Sequence, residues 1–162
     1  MALSVTRTDV EDLLFEEAAC LDSWQLEQWL ELFVEGAGYW VPSAGSGDDA
    51  DPTTTLFYIA DDWFRLTERV KRLGKTTAHV EFPKSRCRHM VSNVRILGGD
   101  DEEFQVTSNF VTWRSKDSHT ETNLGHHNYR MCVRDGAIRI LHKTSFLDTD
   151  NINDQGKVSI II

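Results

Sequence analysis

The sequence predicts an α+β domain in which N-terminal helices lie on one face of a strongly curved, mainly antiparallel sheet. Three features predict it. Helical spacing of apolar residues is confined to the first half, period-two alternation dominates the second, and a strong hairpin signal joins two late strands. A doubly wound α/β fold would interleave the two patterns and is disfavoured. The 162 residues, 40% apolar and 27% charged, suit one domain spanning 1–162, and no repeat, low-complexity tract or linker divides them.

From the N-terminus, Val10, Leu13, Leu14, Ala18 and Leu21 recur at helical spacing, and Thr8 with Glu11 three positions on reads as a capping box. Asp22 or Ser23 caps a second helix that carries Trp29, Leu30 and Phe33 and ends at Gly36 and Gly38. Tyr39 to Pro42 reads as a short strand stopped by proline, and Ser43 to Thr55, rich in Gly, Asp, Ser and Thr, as a solvated loop. After a strand at Leu56 to Ile59, Asp61 or Asp62 starts a third helix through Leu66, Val70 and Leu73. Arg69, Lys71 and Arg72 sit near its dipole-negative end, and Gly74 closes it. Strands follow: Arg88 to Leu97 with Met90, Val94 and Ile96 on one face, Phe104 to Arg114 with Phe104, Val106 and Phe110, and a third sharing Tyr129, Met131 and Val133. Asp135-Gly136 suits a type I′ turn before Ile138 and Ile140, and Gly98 to Glu103 is a second hairpin candidate. The apolar end Val158 to Ile162 reads as a terminal strand, paired in the sheet or covered by another chain.

Acidic residues outnumber basic ones 26 to 17, giving a net charge of −9 and a pI near 5.0. Such a field repels phosphate backbones and anionic lipid, so nucleic acid and membrane are not expected partners. No apolar run approaches the roughly 18 residues of a membrane span, Met1 to Thr8 lacks a secretion signal, and a cytoplasmic location is expected. Cys20, Cys87 and Cys132 form no Cys-x-x-Cys pair and read as reduced, mostly buried thiols.

Cys87-Arg88-His89 has the Cys-x-His spacing that opens a Rieske site, but no Cys-x-x-His completes it, so both residues read as strand residues. His126 and His127, adjacent on a strand, send their rings to opposite faces and do not clasp one ion. The expectation is that no catalytic, cofactor-binding or metal-binding residue lies in this chain. The alternative is a stand-alone hydratase or isomerase in which His89, sharing a strand face with Val91, Asn93 and Arg95, works with Asp61 or Asp62 as an acid-base pair. A module that only binds a small aromatic molecule is a third reading. No G-x-S-x-G, phosphate-binding Gly loop or H-E-x-x-H is present.

Several collinear segments resemble the small (beta) subunit of the aromatic-ring-hydroxylating dioxygenases, the Rieske non-heme iron oxygenases. They are Leu32-Phe33, Tyr39-Trp40-x-Pro42, Asp61-Asp62, Arg69-Val70-x-Arg72-Leu73, Ser108-Asn109-Phe110 and Leu147-Asp148. The most specific is Pro83-x-Ser85-Arg86-x-Arg88-His89-x-Val91-Ser92-Asn93-Val94. The resemblance implies a cystatin-like, ketosteroid-isomerase-like cone. It implies assembly with a catalytic large (alpha) subunit, commonly three of each, with the Rieske [2Fe-2S] cluster and mononuclear iron in the large chain. It further implies electrons from NAD(P)H through a reductase, with or without a ferredoxin, hydroxylation of an aromatic ring, and a structural role for the small chain. This chain departs from the family pattern at Trp63, where Arg is common, and at His126-His127-Asn128-Tyr129 after Gly125, where a basic and acidic cluster is usual. Those two places and the C-terminal strand are the candidate partner contacts.

Overall fold

The computed structural model describes residues 2–75, 84–148 and 160–162. Helix α1 (Arg7–Asp22) starts at Thr6, whose hydroxyl accepts from Asp9 N at 3.3 Å while the Asp9 carboxylate accepts from Thr6 N at 2.7 Å. The capping box therefore lies two residues before the expected Thr8 and Glu11, with Asp in place of the usual Glu. Asp22 is the last residue of α1 and Ser23 its C-cap, so neither starts the next helix. Helix α2 (Leu26–Leu30) is one turn without a side-chain cap. Phe33, expected in that helix, opens strand β1 (Phe33–Pro42), and Gly36 lies inside the strand at φ +92°. The glycines thus kink a strand instead of ending a helix, and the β1 register is irregular between Phe33 and Gly38.

Strand β2 (Phe57–Asp61) takes Asp61 into the sheet, while Asp62 caps helix α3 (Trp63–Leu73) by accepting from Arg65 N at 2.9 Å. Helix α3 buries Leu66, Val70 and Leu73 at helical spacing, with Lys71 and Arg72 in its last turn and Gly74 as C-cap, as expected. The long strands β3 (Arg86–Gly99), β4 (Phe104–Lys116), β5 (His119–Arg134) and β6 (Ala137–Leu147) follow. Two-residue turns join β4 to β5 and β5 to β6. Asp135 and Gly136, at φ +51° and +75°, have the positive φ values of the expected type I′ turn. Asp117 and Ser118, at +53° and +64°, make the other turn without any glycine, and β5 begins well before Tyr129.

The six strands form one curled, unclosed sheet in the order β2-β1-β6-β5-β4-β3. Among the described residues the β1–β6 pair is parallel and the other four pairs are antiparallel. Strand β3 carries a bulge: Ser92 faces Asn109 and Arg95 faces Thr107, so β3 spends one residue more than β4, and Asn93 sits at φ +54°. The bulge overturns the expected single face for Met90, Val94 and Ile96. Before it the odd residues turn inward and Met90 is exposed; after it Val94 is buried while Asn93 and Arg95 are exposed.

The core lies between the helices and the inner sheet face, built from Val10, Leu14, Trp29, Tyr39, Leu66, Phe104, Tyr129, Met131 and Ile140. Of the expected terminal strand, Val158 and Ser159 lie outside the described residues, as does Pro83 of the resemblance. Ile160, Ile161 and Ile162 form no strand, yet all three are buried. They fill the interior of the curl instead of extending the sheet.

Candidate functional site

The residues of the acid-base alternative do not converge. The Asp61 carboxylate, on β2, accepts a two-pronged pair from Arg69 of α3, Nε to Oδ2 at 2.5 Å and Nη2 to Oδ1 at 3.1 Å. Asp62 is occupied as the α3 cap. His89, half-buried on the inner face of β3, pairs with neither. Its Nδ1 lies 2.6 Å from Asp22 Oδ1 at the end of α1, and its Nε2 lies 2.7 Å from the Ile161 main-chain oxygen. Asp61 and His89 are engaged in holding one element to another and Asp62 in capping its own helix, which is the geometry of structural polar groups. The cleft of about 490 Å³ along α3 has Asp61 on its wall but neither Asp62 nor His89.

The sequence reading missed a buried polar cluster that lies inside the curl. Tyr39, Lys143 and Tyr129 form one cross-strand row over β1, β6 and β5. Glu17 reaches this row from α1, where it occupies the buried stripe of Val10, Leu14 and Leu21. Its carboxylate accepts from Lys143 Nζ at 3.1 Å, Trp29 Nε1 at 2.9 Å and Tyr129 Oη at 2.6 Å. Lys143 Nζ also donates to the Ile162 main-chain oxygen at 2.7 Å, and Ile162 N donates to Tyr39 Oη at 3.2 Å. Rings of Trp29, Tyr39 and Tyr129 stand 5.7–6.0 Å from the ammonium. Burial holds the Lys143 ammonium below its ordinary range, with Glu17 opposing that shift. Burial and the Glu17 charge push the Tyr129 phenol far up. A carboxylate with three donors and an ammonium with two acceptors make a satisfied internal ion pair, closed by the chain itself. The signal for Glu17 was present in the sequence, as an acid on the apolar stripe of an amphipathic helix. Lys143 could have been placed by its period-two spacing from Leu147.

His126 and His127 point to opposite faces, as their adjacency requires. His127 is buried, stacks on Phe110 at 4.2 Å and bonds Ser145 Oγ at 2.9 Å. Burial first, then the charges of Lys143, His89 and His126, push its titration well below the ordinary histidine value. His126 stacks on Phe146 at 4.7 Å and faces Asp48 of the 43–55 loop at 3.1 Å. Trp63, half-buried, packs against the core.

Among the described residues no group of three His, Cys, Asp or Glu side chains could hold a metal ion. Cys87 and His89 do not fit an iron-sulfur cluster, because the Cys87 thiol lies against Ser85 Oγ at 3.6 Å and both His89 nitrogens are engaged. All three cysteines are free and buried, and burial followed by the Glu16 charge pushes the Cys20 thiol up to about 11.

The family model described as "ring hydroxylating beta subunit" matches residues 16–154. The small oxygenase component of the p-cumate 2,3-dioxygenase system of Pseudomonas putida is 50% identical over 161 residues, covering 99% of this chain and 89% of that protein. Among solved structures, the beta subunit of benzoate 1,2-dioxygenase from Burkholderia mallei superposes with a TM-score of 0.75 at 23% identity, covering 96% of this chain and 99% of that one. An NTF2-like protein with a cystatin-like fold from Novosphingobium aromaticivorans gives 0.62 at 14% identity, covering 90% of this chain and 84% of that one. The last two similarities establish the cone fold.

Proposed function

Because the chain belongs to the family of ring-hydroxylating dioxygenase beta subunits, we propose that it is the structural, non-catalytic partner of a large subunit that carries a Rieske [2Fe-2S] cluster and a mononuclear iron. Three copies of each chain form the assembly, and a reductase, with or without a ferredoxin, passes electrons from NAD(P)H to the large chain. The substrate class is an aromatic acid. Support for that class comes from the 50% identity to a small oxygenase component acting in p-cumate dioxygenation.

One observation carries the scaffold role. The cone interior, where a pocket enzyme of this fold would hold its substrate, is filled by Trp29, Tyr39, Tyr129, the Glu17–Lys143 pair and Ile160–Ile162. Of the three residues suited to acid-base work, Asp61 and His89 hold elements together elsewhere and Asp62 caps α3. A cone packed in this way supports the reading of a rigid body for assembly.

The test is co-expression with a large oxygenase subunit carrying complete Cys-x-His and Cys-x-x-His motifs. A mixed oligomer with all iron and acid-labile sulfide in the large chain is expected. A preparation of this chain alone that binds iron, consumes oxygen or turns over substrate would overturn the reading, as would a monomer indifferent to every such partner.

A further inference from the structure

We propose that the outer face of strands β3–β5 is the seat for helix α1 of a second copy of this chain, a head-to-tail contact between small subunits. The contact is inferred from the two surfaces themselves, whereas its closure into a ring of three rests on the assembly proposed above.

The sheet face is basic in an acidic chain. Of 26 acidic residues none lies in β3 or β4, and the one acid of β5, Glu121, pairs with Arg114 at 3.6 Å. Arg86, Arg88 and Arg95 stand exposed on the outer face. Among them the register lines up Met90, Val111 and Leu124 as one row across the three strands, beside the row of Arg88, Trp113 and Thr122. Met90, Trp113 and Leu124 are large apolar side chains left in solvent. At the Asn93 bulge a cleft of about 610 Å³ adjoins them, with Ser92, Arg95, Asn109 and His126 on its wall and Asp148 as its one acid.

Helix α1 carries the complement. Its buried stripe faces the core, and its other side exposes Asp12, Phe15 and Glu16. Phe15 is 52% exposed, an apolar anchor flanked by two carboxylates. Glu31, at the end of α2, extends the same negative surface, since its charge and that of Glu16 both act on the Cys20 thiol.

The dimensions agree. Three strands span about 10 Å from first to last, the width of one helix with its side chains. Phe15 then rests on the row of Met90, Val111 and Leu124, while Asp12 and Glu16 meet the arginines to either side. Pairing two copies through the sheet face alone is disfavoured, because a two-fold axis would set Arg86, Arg88 and Arg95 against their own counterparts. Helix α1 packs over the inner face of the sheet and the seat lies on the outer one, so each chain offers one half of the contact to each neighbour. Such a heterologous contact closes into a ring when its rotation allows.

The test is sedimentation equilibrium on the full chain by itself at physiological salt. The parent should associate beyond the monomer. R86E/R95E and D12R/E16R should each weaken that association about tenfold, the scale of a few exposed ion pairs turned repulsive. Arg88 is left in place because it also reaches Asp22 Oδ2 at 3.8 Å. A chain carrying all four substitutions should recover most of the loss, since every contact then meets with its charges exchanged. F15A, which alters no charge, should weaken association as well. A parent that stays monomeric at millimolar concentration would overturn the contact, and so would association unchanged in F15A. A four-substitution chain no better than either reversal would overturn it too, and would assign the sheet face to a different partner such as the large subunit. Mixed assembly with a large subunit is scored separately, so failure of this contact and failure of the scaffold role give different results.

Discussion

Replacing Lys143 with methionine would leave the Glu17 carboxylate buried against Trp29 and Tyr129 with no counter-charge. Breaking a buried pair from one side costs about 3–5 kcal/mol, so K143M should show a much lower urea midpoint, and removing Glu17 as well should restore part of the loss. His142 supplies a pH dependence of known sign. Burial, and then Arg130, lowers its titration from 6.5 to about 4. As pH falls between those values the unfolded chain takes up a proton that the folded chain refuses, so stability declines across that window. The drop should shrink in H142Q, measured as the urea midpoint against pH relative to the parent. At this scale the sequence showed residue types without their partners. His89 read as a strand residue and is one, but its bonds to Asp22 and Ile161 join positions 67 and 72 residues away. No local pattern encodes such pairs.

Strand β3 shows what a period-two reading can and cannot see. Alternation located the strand, yet the bulge at Asn93 reverses its faces midway, and one residue in the left-handed region leaves no periodic trace. Valine at that φ costs about 1–2 kcal/mol, whereas glycine accepts it freely. N93V should therefore lower the melting temperature while N93G stays near the parent. Turn chemistry was legible where glycine marked it, at Asp135-Gly136, and illegible at Asp117-Ser118, where two non-glycine residues adopt positive φ. Helix α3 was read correctly because its cap, its apolar stripe and its terminal glycine all agree. The second helix was overextended because Phe33 continues its apolar spacing, while the β6 strand beside it draws that residue into the sheet.

Across the whole molecule, the outer face of the β3–β5 wing leaves Met90, Trp113 and Leu124 exposed, in contrast to the packed interior. A chain that binds a partner only in its folded form gains stability from it by mass action. Mixed with the large subunit, it should melt at a higher temperature than alone, and the shift should grow with partner concentration in differential scanning calorimetry. The sequence by itself determined the α+β class, the order of helices before strands, the absence of a complete Cys-x-His and Cys-x-x-His pair, and the family, because each rests on local spacing or on collinear motifs. Only the tertiary structure decided that the cone is filled from within, that Glu17 meets Lys143 from 126 residues away, and that the terminal isoleucines pack inside without forming a strand. Those outcomes depend on how far the sheet curls. Curl arises from twist, bulges and packing summed over six strands, a quantity that no short window of residues contains.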